Sequence, residues 1–356
     1  MSSEIKVTVI MPSLNVQSYI RPCIESVVNQ TLENLEILCI DAGSTDGTLE
    51  ILQEYEAKDQ RIRLIRSDRK SYGYQVNLGI KAAKGEYLAI VETDDYIRST
   101  MVERLTELAD QYRLDVIKAD YQSFRTMSGK PEFTWCRIMP EDSFYNRVID
   151  ATLETAVLNP DTVPPWAGIY RTDFFRDNNI LLHESPGASF QDTGLWFQVF
   201  TQAKRLIFLN EAFYCYRTDN PGSSVKSREK VYLICQEYDF IREFLRSKPE
   251  LEKKYVPYCT LYRYRNYVWN LQRISDEFRM EFLKRFQEDF DAIEQAGELD
   301  KSVFSRMRWV KYQMIRHTPK LWYDLTFRLT GVDRVDQRIE KLRIKLKLKE
   351  AEDKRR

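Results

Sequence analysis

The sequence predicts an α/β protein in which helices cover both faces of a mostly parallel sheet, followed by a helical C-terminal region. Three observations favour this class. Residues 1–120 alternate between short apolar runs and segments with apolar side chains at helical spacing. The apolar runs are continuous rather than alternating, which is typical of parallel strands buried on both faces. Residues 226–316 have helical spacing and almost no glycine or proline.

Each element of the first 120 residues has its own signal. Strands are predicted where β-branched and other apolar residues run together, at residues 6–11, 35–40, 61–65, 87–91 and 114–119. Helices are predicted at residues 18–30, 48–57 and 74–83, and a fourth from residue 100. Thr100 and Glu103 have the spacing of a capping box, so we expect them to begin the fourth helix.

Beyond residue 120 the pattern changes. Residues 121–225 are irregular and rich in aromatic side chains, 226–316 are helical, and 317–356 form a basic amphipathic tail. The tail carries a short apolar seam spaced by three and four residues, at Val332, Val335, Ile339, Leu342 and Leu346. Such a seam is typical of coiled coils, so we expect helices to pair there and to support a homo-oligomer.

Charge and histidine content exclude several function classes. The chain holds 54 basic and 54 acidic side chains, and this balance argues against a nucleic-acid partner. The two histidines, His183 and His317, leave little room for an imidazole zinc site or a histidine-based triad. We therefore expect carboxylates to carry any chemistry.

The cysteine spacing and the length of the apolar runs indicate in which cellular compartment the protein is expected. Six cysteines lack metal-type and redox-type spacing, and the first residues show no charged-then-apolar leader. No apolar run approaches the roughly 18 residues that a bilayer-spanning helix needs. We therefore expect a cytoplasmic protein with reduced thiols.

Polar side chains follow three of the predicted strands. Residues 12–15 follow the first strand, 41–46 the second and 92–95 the fourth. Ligands of parallel sheets lie at the carboxyl ends of the strands. The acidic group at 92–95 therefore predicts a Mg²⁺ or Mn²⁺ site, because hard cations prefer oxygen ligands. The alternative is that the acidic side chains bind no metal and are simply stabilised by the dipole at the N-terminus of the following helix.

Two common phosphate-binding strings are absent. The chain contains no G-x-x-x-x-G-K-[ST] and no G-x-G-x-x-G. Their absence argues against a P-loop NTPase and against a dinucleotide-binding dehydrogenase. A nucleotide would have to bind on the strand-end loops themselves.

The motifs of residues 5–97 resemble glycosyltransferase family 2, whose members have a GT-A-type, Rossmann-like fold. The matching strings are PSLN after the first strand, DAGSTDGT after the second, NLGI in the third helix, and GEY and ETDD around the fourth strand. A weaker match covers residues 160–225. The resemblance implies a catalytic domain at 1–225, with a nucleotide-sugar-binding half at 1–120 and an acceptor half at 121–225.

The family transfers a sugar from a nucleotide-sugar with inversion at the anomeric carbon. The resemblance implies that Asp94 binds a divalent cation, Mn²⁺ or Mg²⁺, which bridges the diphosphate. It implies contacts to the nucleotide-sugar, expected to be UDP-linked, from Pro12, Ser13, Asn15, Asp41, Asn77, Glu92, Thr93 and Arg217. We expect single-sugar addition to a glycan or lipid-linked glycan in bacterial surface polysaccharide synthesis, because the Q-x-x-R-W string of processive synthases is missing.

Asp192 lies where the family places its catalytic aspartate, so the resemblance implies that it is the general base. The nearby aromatic residues are expected to raise its pKa by desolvation. The alternative is that Asp192 only caps the helix that follows. Trp166 and Trp196 are candidate sugar-stacking faces and His183 a candidate acceptor contact, although such residues more often pack in a core.

Four positions depart from the family pattern: Ala42, Val76, Glu92 and Gln191. These departures support an alternative function, a non-catalytic scaffold with the same fold or a partner subunit of another glycosyltransferase. A nucleotidyltransferase is a third hypothesis. It lacks support because no glycine-rich activation loop follows the first strand.

The segment 301–328 combines seven basic side chains and one acidic side chain with interleaved aromatic residues. This pattern is typical of a helix that lies on an anionic membrane. It also fits an ordinary packed helix with a solvated basic face. We therefore expect either a purely cytoplasmic protein or one that is peripheral on the inner face of the cell membrane.

Overall fold

The structure is a computed structural model that describes residues 5–127, 130–221 and 230–329. These residues form two compact units. The first contains the described residues up to 221 together with 239–244, and the second contains 230–238 and 245–329.

The first unit is built on one nine-stranded sheet. Its strands are β1 Val7–Ser13, β2 Leu35–Asp41, β3 Ile62–Arg66, β4 Tyr87–Ile90, β5 Tyr96–Ile97, β6 Val116–Met127, β7 Lys130–Cys136, β8 Gly168–Arg171 and β9 Leu206–Arg217. They are ordered β3-β2-β1-β4-β8-β6-β9-β5, and β7 pairs with β6. The block from β3 to β4 is parallel, and β9 runs parallel to β6. The predicted α/β class is confirmed.

Helices accompany the sheet and then follow it. They are α1 Gln17–Val28, α2 Thr48–Lys58, α3 Tyr72–Ala82, α4 Met101–Tyr112, α5 Thr172–Asp177, α6 Gln191–Phe200, α7 Leu233–Arg246, α8 Pro249–Arg273, α9 Asp276–Gln295, α10 Arg306–His317 and α11 Pro319–Tyr323. The predicted helical C-terminal region is confirmed for the described residues beyond 230.

The predicted capping box of α4 is wrong. Thr100 precedes the helix as expected, but its side chain makes no capping hydrogen bond. The Glu103 carboxylate accepts a hydrogen bond from the Thr31 hydroxyl instead, at 2.7 Å. Glu103 therefore bonds to Thr31, which is distant in sequence, rather than to the backbone at Thr100.

The parallel block buries its strands completely and aligns their ends. Every residue of β1 and β2 is buried, and the two strands pair in register from Val7 with Leu35 to Ser13 with Asp41. Helix α3 packs closely on this block, since a Cβ at Gly79 would lie 2.5 Å from the Ile10 side chain. The carboxyl ends of β1 and β2 therefore lie at one edge.

The second unit has an aromatic core. Rings from α8, α9 and α10 pack together there, among them Tyr267, Phe286, Phe290 and Tyr312. Most of the aromatic residues that the sequence suggested for a membrane surface are buried in this unit: Phe304, Tyr312, Trp322 and Tyr323. The helical spacing of these aromatic residues therefore reflects packing in the core of the second unit.

Two expectations concern the remaining chain. The apolar seam at 332–346 lies outside the described residues, so self-association through it stays a prediction. Among the described residues, no helix combines the length and the apolar character that crossing a membrane requires.

Candidate active site at the strand ends

Side chains distant in sequence join the ends of β1, β2 and β4. The Thr93 hydroxyl donates to the Pro12 carbonyl at 2.8 Å. The Gln75 side-chain amide donates to the carbonyls of Ser13, at 3.0 Å, and Ile40, at 2.6 Å. Thr93, Ser13 and Gln75 are buried. These hydrogen bonds hold the backbone of the strand ends in place.

The loops after β1 and β2 are also fixed by hydrogen bonds. The buried Asp41 carboxylate accepts the N–H groups of Gly43, at 2.9 Å, and Ser44, at 3.1 Å. The exposed Asn15 accepts the N–H of Thr45 at 2.9 Å and itself has a φ of 53°. The residues expected to contact a nucleotide therefore form a preorganised rim, and Asp41 orders its own loop.

Three carboxylates meet after β4. One oxygen from each of Glu92, Asp94 and Asp95 lies within 4.8 Å of the others. Asp95 is buried and accepts hydrogen bonds from the Tyr214 hydroxyl, at 2.9 Å, and from the Arg217 N–H, at 2.7 Å. Strand β9 therefore supplies the partners that hold Asp95, leaving Glu92 and Asp94 half-buried beside it.

Arg217 lies against this cluster. Its Nε donates to the Asp94 carbonyl at 2.8 Å, and its guanidinium stacks 4.6 Å from the Phe124 ring and 4.8 Å from the Tyr19 ring. The Asp94 carboxylate also accepts a hydrogen bond from the Asn220 amide at 2.8 Å. Arg217 therefore orients the loop that carries Asp94 and places a cation at the rim of the cluster.

Burial and mutual repulsion disfavour the charged forms of the cluster. Burial first, and then the nearby Asp94 and Asp192 carboxylates, together raise the pKa of Glu92 to about 8. Burial also raises the pKa of Asp95, with contributions from Asp94 and Glu92. An all-carboxylate set of this kind has the donor chemistry of a hard divalent cation, so the residues fit Mg²⁺ or Mn²⁺.

Asp192 lies in the first turn of α6, and its charge contributes to the raised pKa of Glu92. Its Oδ1 accepts the N–H of Thr193 at 2.8 Å. Burial raises the pKa of Asp192 to about 6. The carboxylate is thus both a helix N-terminal group and a group with the pKa of a base near neutral pH. The helix begins at Gln191 and its N-cap position is Phe190, so Asp192 does not cap α6, and its role as the general base stays a prediction.

Two tyrosines of this cleft are absent from the sequence prediction. Tyr216 stacks parallel to Trp166 at 5.2 Å, and its pKa is raised by burial and by the carboxylates of the cleft, Glu92 first among them. Burial raises the pKa of Tyr72, and Glu92 and Asp192 raise it further. Their places in the sequence could have indicated them. Tyr216 directly precedes Arg217, and Tyr72 begins the helix that carries the NLGI string.

Asn77 and His183 make contacts within the protein that position the segment before α6. The Asn77 amide donates to the Leu182 carbonyl at 2.9 Å and accepts the Leu182 N–H at 2.9 Å, and the residue is buried. Asn77 therefore holds the segment before α6, and its expected contact with the nucleotide-sugar stays a prediction. His183, in that segment, is half-buried and stacks on Phe240 at 4.9 Å.

Trp166 and Trp196 do not offer free sugar-stacking faces. Trp166 is 6% exposed and stacks on Tyr214 at 4.1 Å. Trp196 is 5% exposed and stacks on Phe200 at 3.9 Å. Both expectations are corrected, because aromatic neighbours cover the two indoles. Trp166 instead supports Tyr214 and Tyr216, which border the carboxylate cluster.

A parallel α/β block with a carboxylate cluster at its strand ends is the architecture of the GT-A-type fold, and Asp192 adds a half-buried carboxylate near the cluster. Residues 8–174 match the family described as "Glycosyl transferase family 2". This match over residues 8–174 confirms the resemblance seen in the motifs of residues 5–97.

Several bacterial proteins are similar to this chain. It is 33% identical over 220 residues to the uncharacterized glycosyltransferase EpsJ of Bacillus subtilis, covering 61% of this chain and 62% of EpsJ. It is 30% identical over 219 residues to the glycosyltransferase GlyA of Streptococcus pneumoniae, covering 60% of this chain and 30% of GlyA. The match thus spans less than two thirds of either relative.

The fold is similar to a solved structure over nearly its whole length. The crystal structure of residues 1–349 of Staphylococcus aureus TarS with UDP-GlcNAc aligns with a TM-score of 0.68 and 19% identity, covering 91% of each chain. TarS is named as a poly(ribitol-phosphate) beta-N-acetylglucosaminyltransferase. At this identity the likeness establishes the fold.

Proposed function

We propose that the chain transfers a single sugar from a UDP-linked nucleotide-sugar to a glycan or lipid-linked glycan, with inversion at the anomeric carbon. The observation that carries the proposal is the cluster of Glu92, Asp94 and Asp95 at the strand ends, with Asp192 near enough for its charge to raise the pKa of Glu92. The choice of UDP is supported by the structural neighbour solved with UDP-GlcNAc. In this proposal the reaction takes place on the cytoplasmic side and serves bacterial surface polysaccharide synthesis.

Asp192 is the proposed general base. Its carboxylate takes the proton of the acceptor hydroxyl while the acceptor oxygen forms a bond to the anomeric carbon. The bond between that carbon and the diphosphate oxygen breaks in the same step, and the electron pair leaves with the nucleoside diphosphate. A single displacement inverts the anomeric carbon and needs no protein nucleophile.

The carboxylate cluster would hold a divalent cation, Mn²⁺ or Mg²⁺. Asp94 is the primary proposed ligand with Glu92 beside it, since Asp95 is already bonded to β9. When bound, the cation supplies positive charge against the leaving diphosphate. Arg217, fixed on the Asp94 carbonyl, would add a second positive charge at the same rim.

The loops after β1 and β2 would bind the nucleotide. Pro12 and Ser13 supply backbone at the strand end, Asn15 stands exposed at the rim, and Asp41 orders its loop around the base. Thr93 connects this rim to the carboxylate cluster through its hydrogen bond to Pro12. The nucleotide and the diphosphate would thus occupy adjoining parts of one edge.

Nucleotide release tests this proposal. Wild-type protein is incubated with a panel of UDP-sugars and Mn²⁺, and UDP is measured for the wild type, Asp94→Ala and Asp192→Asn. We expect each variant to lose roughly a hundredfold or more of the rate, as is typical when charge stabilisation or a general base is removed. Asp173→Asn, on an exposed carboxylate of α5, is the matched control and should retain wild-type activity.

The same assay separates the scaffold alternative. An active wild type whose rate is unchanged in Asp192→Asn would remove that residue as the base. A wild type that binds no nucleotide and releases no UDP with any donor of the panel would favour a scaffold.

A further inference from the structure

The outward side of α10 is apolar. Its inward side buries Tyr312 and Ile315, whereas Met307 is 83% exposed and Val310 is 53% exposed. Met314 is half-buried. The three residues Met307, Val310 and Met314 are spaced by three and four, so they lie along one side of the helix. Exposing such a row to water has an unfavourable free energy unless something covers it.

Basic side chains surround this row. Helix α11 adds Leu321, which is 53% exposed, and Leu325 follows it. We define the apolar-basic face by these exposed or half-exposed side chains: Met307, Val310, Met314, Leu321, Leu325, Arg306, Arg308, Lys311 and Lys320. No acidic residue occurs between positions 301 and 323.

Part of the positive charge near this face has no ion-pair partner among the residues that the structure describes. Arg316 points inward and pairs with Asp291 and Glu294 of α9. By contrast, no ion pair within the described residues involves Arg306, Arg308 or Lys320. These cations are therefore available to an external anionic partner.

We infer that the apolar-basic face docks the chain on an anionic lipid surface. The apolar row would enter the headgroup region while the flanking cations contact anionic headgroups, as amphipathic helices on membranes do. The inference concerns docking alone, so it does not depend on the proposed sugar transfer.

Charge disfavours the other occupants of this face. A second copy paired by two-fold symmetry would bring the same cations against each other. The chain's own residues 330–356 hold ten basic and six acidic side chains, so they would also bring net positive charge. An anionic lipid surface is complementary both to the face and to those residues.

Vesicle co-sedimentation of the full chain tests the inference. Vesicles of phosphatidylcholine alone are compared with vesicles containing about a quarter phosphatidylglycerol. We expect binding to the anionic vesicles only. The double variant Met307→Ser with Val310→Ser should bind about tenfold more weakly, because its side chains no longer gain from leaving water. Arg306→Gln with Arg308→Gln should lose a similar factor and much of the salt dependence.

Matched controls keep the result specific. Leu153→Ser changes a 78% exposed apolar residue of the first unit, and Lys284→Gln changes an exposed cation of α9. Both should bind as the wild type does, and all variants should keep the wild-type melting temperature. Equal binding by the Met307/Val310 variant, or no binding by the wild type, would overturn the inference. So would a wild-type dimer that these substitutions dissociate, since a second copy would then cover the face.

Discussion

Asp192 combines two properties that rarely occur in an exposed carboxylate. It accepts a backbone N–H in the first turn of α6, which favours its charged form, yet burial raises its pKa to about 6. Burial therefore outweighs the hydrogen bond. A carboxylate in this range is still ionised near neutral pH, and it accepts a proton more readily than an exposed aspartate does.

The pH dependence of the reaction follows from that pKa. Because the base must be deprotonated, kcat/KM should fall about tenfold for each pH unit below about pH 6 and level off above it. The measurement is UDP release between pH 4.5 and 7.5 at saturating Mn²⁺. Asp173→Asn should keep the same profile, whereas a wild-type profile flat down to pH 5 would contradict the assignment.

At the residue scale the sequence predicted some of the site. Asp41 and Asp94 could be singled out from the sequence because Asp41 ends a buried strand and Asp94 comes shortly after one. The partners of Asp95 were not, since Tyr214 and Arg217 come from a strand about 120 residues later. Such long-range partners have no local signal.

At the element scale, the predictable strands are the continuously buried ones. Strands β1, β2 and β4 are runs of apolar residues, whereas β7 is exposed over nearly its whole length and mixes Pro131, Phe133 and charged residues. Strand β5 has two residues and exists only because it pairs with β9. The spacing of apolar residues predicts the strands that are buried. Strands such as β5 and β7 form through pairing with a neighbouring strand, and that pairing leaves no apolar pattern in the sequence.

Helix α3 illustrates how closely elements approach beneath the site. Alanine at position 79 would favour a helix by about 1 kcal/mol over glycine. Its Cβ, however, would lie 2.5 Å from Ile10. We expect the clash to win, so that Gly79→Ala destabilises the protein by a net 1–3 kcal/mol, roughly the usual cost of overpacking.

Thermal or urea unfolding measures this effect. The control is Lys81→Ala, an exposed position of the same helix, which should change the free energy of unfolding by less than about 0.5 kcal/mol. Equal stability of Gly79→Ala and the wild type would show that β1 and α3 are not in this close contact.

At the scale of the whole molecule, the neutral charge conceals an uneven distribution along the chain. Residues 301–356 hold 17 basic and 7 acidic side chains, so residues 1–300 carry an excess of ten acidic ones. The acidic part contains the proposed catalytic carboxylates, and the basic part contains the face inferred to meet lipid. The overall charge balance argued only against a nucleic-acid partner. The uneven distribution of charge along the chain indicates in addition that the acidic and the basic parts have different roles.

The central claim is that one carboxylate, Asp192, drives a single displacement at the strand ends. The stereochemistry of the first product tests it most directly. With an α-linked UDP-sugar as the donor, proton NMR can record the anomer formed on the acceptor, or on water, before mutarotation. Our account predicts the β anomer for the wild type and no product for Asp192→Asn. An α product would require a second displacement or another mechanism, and it would contradict the account.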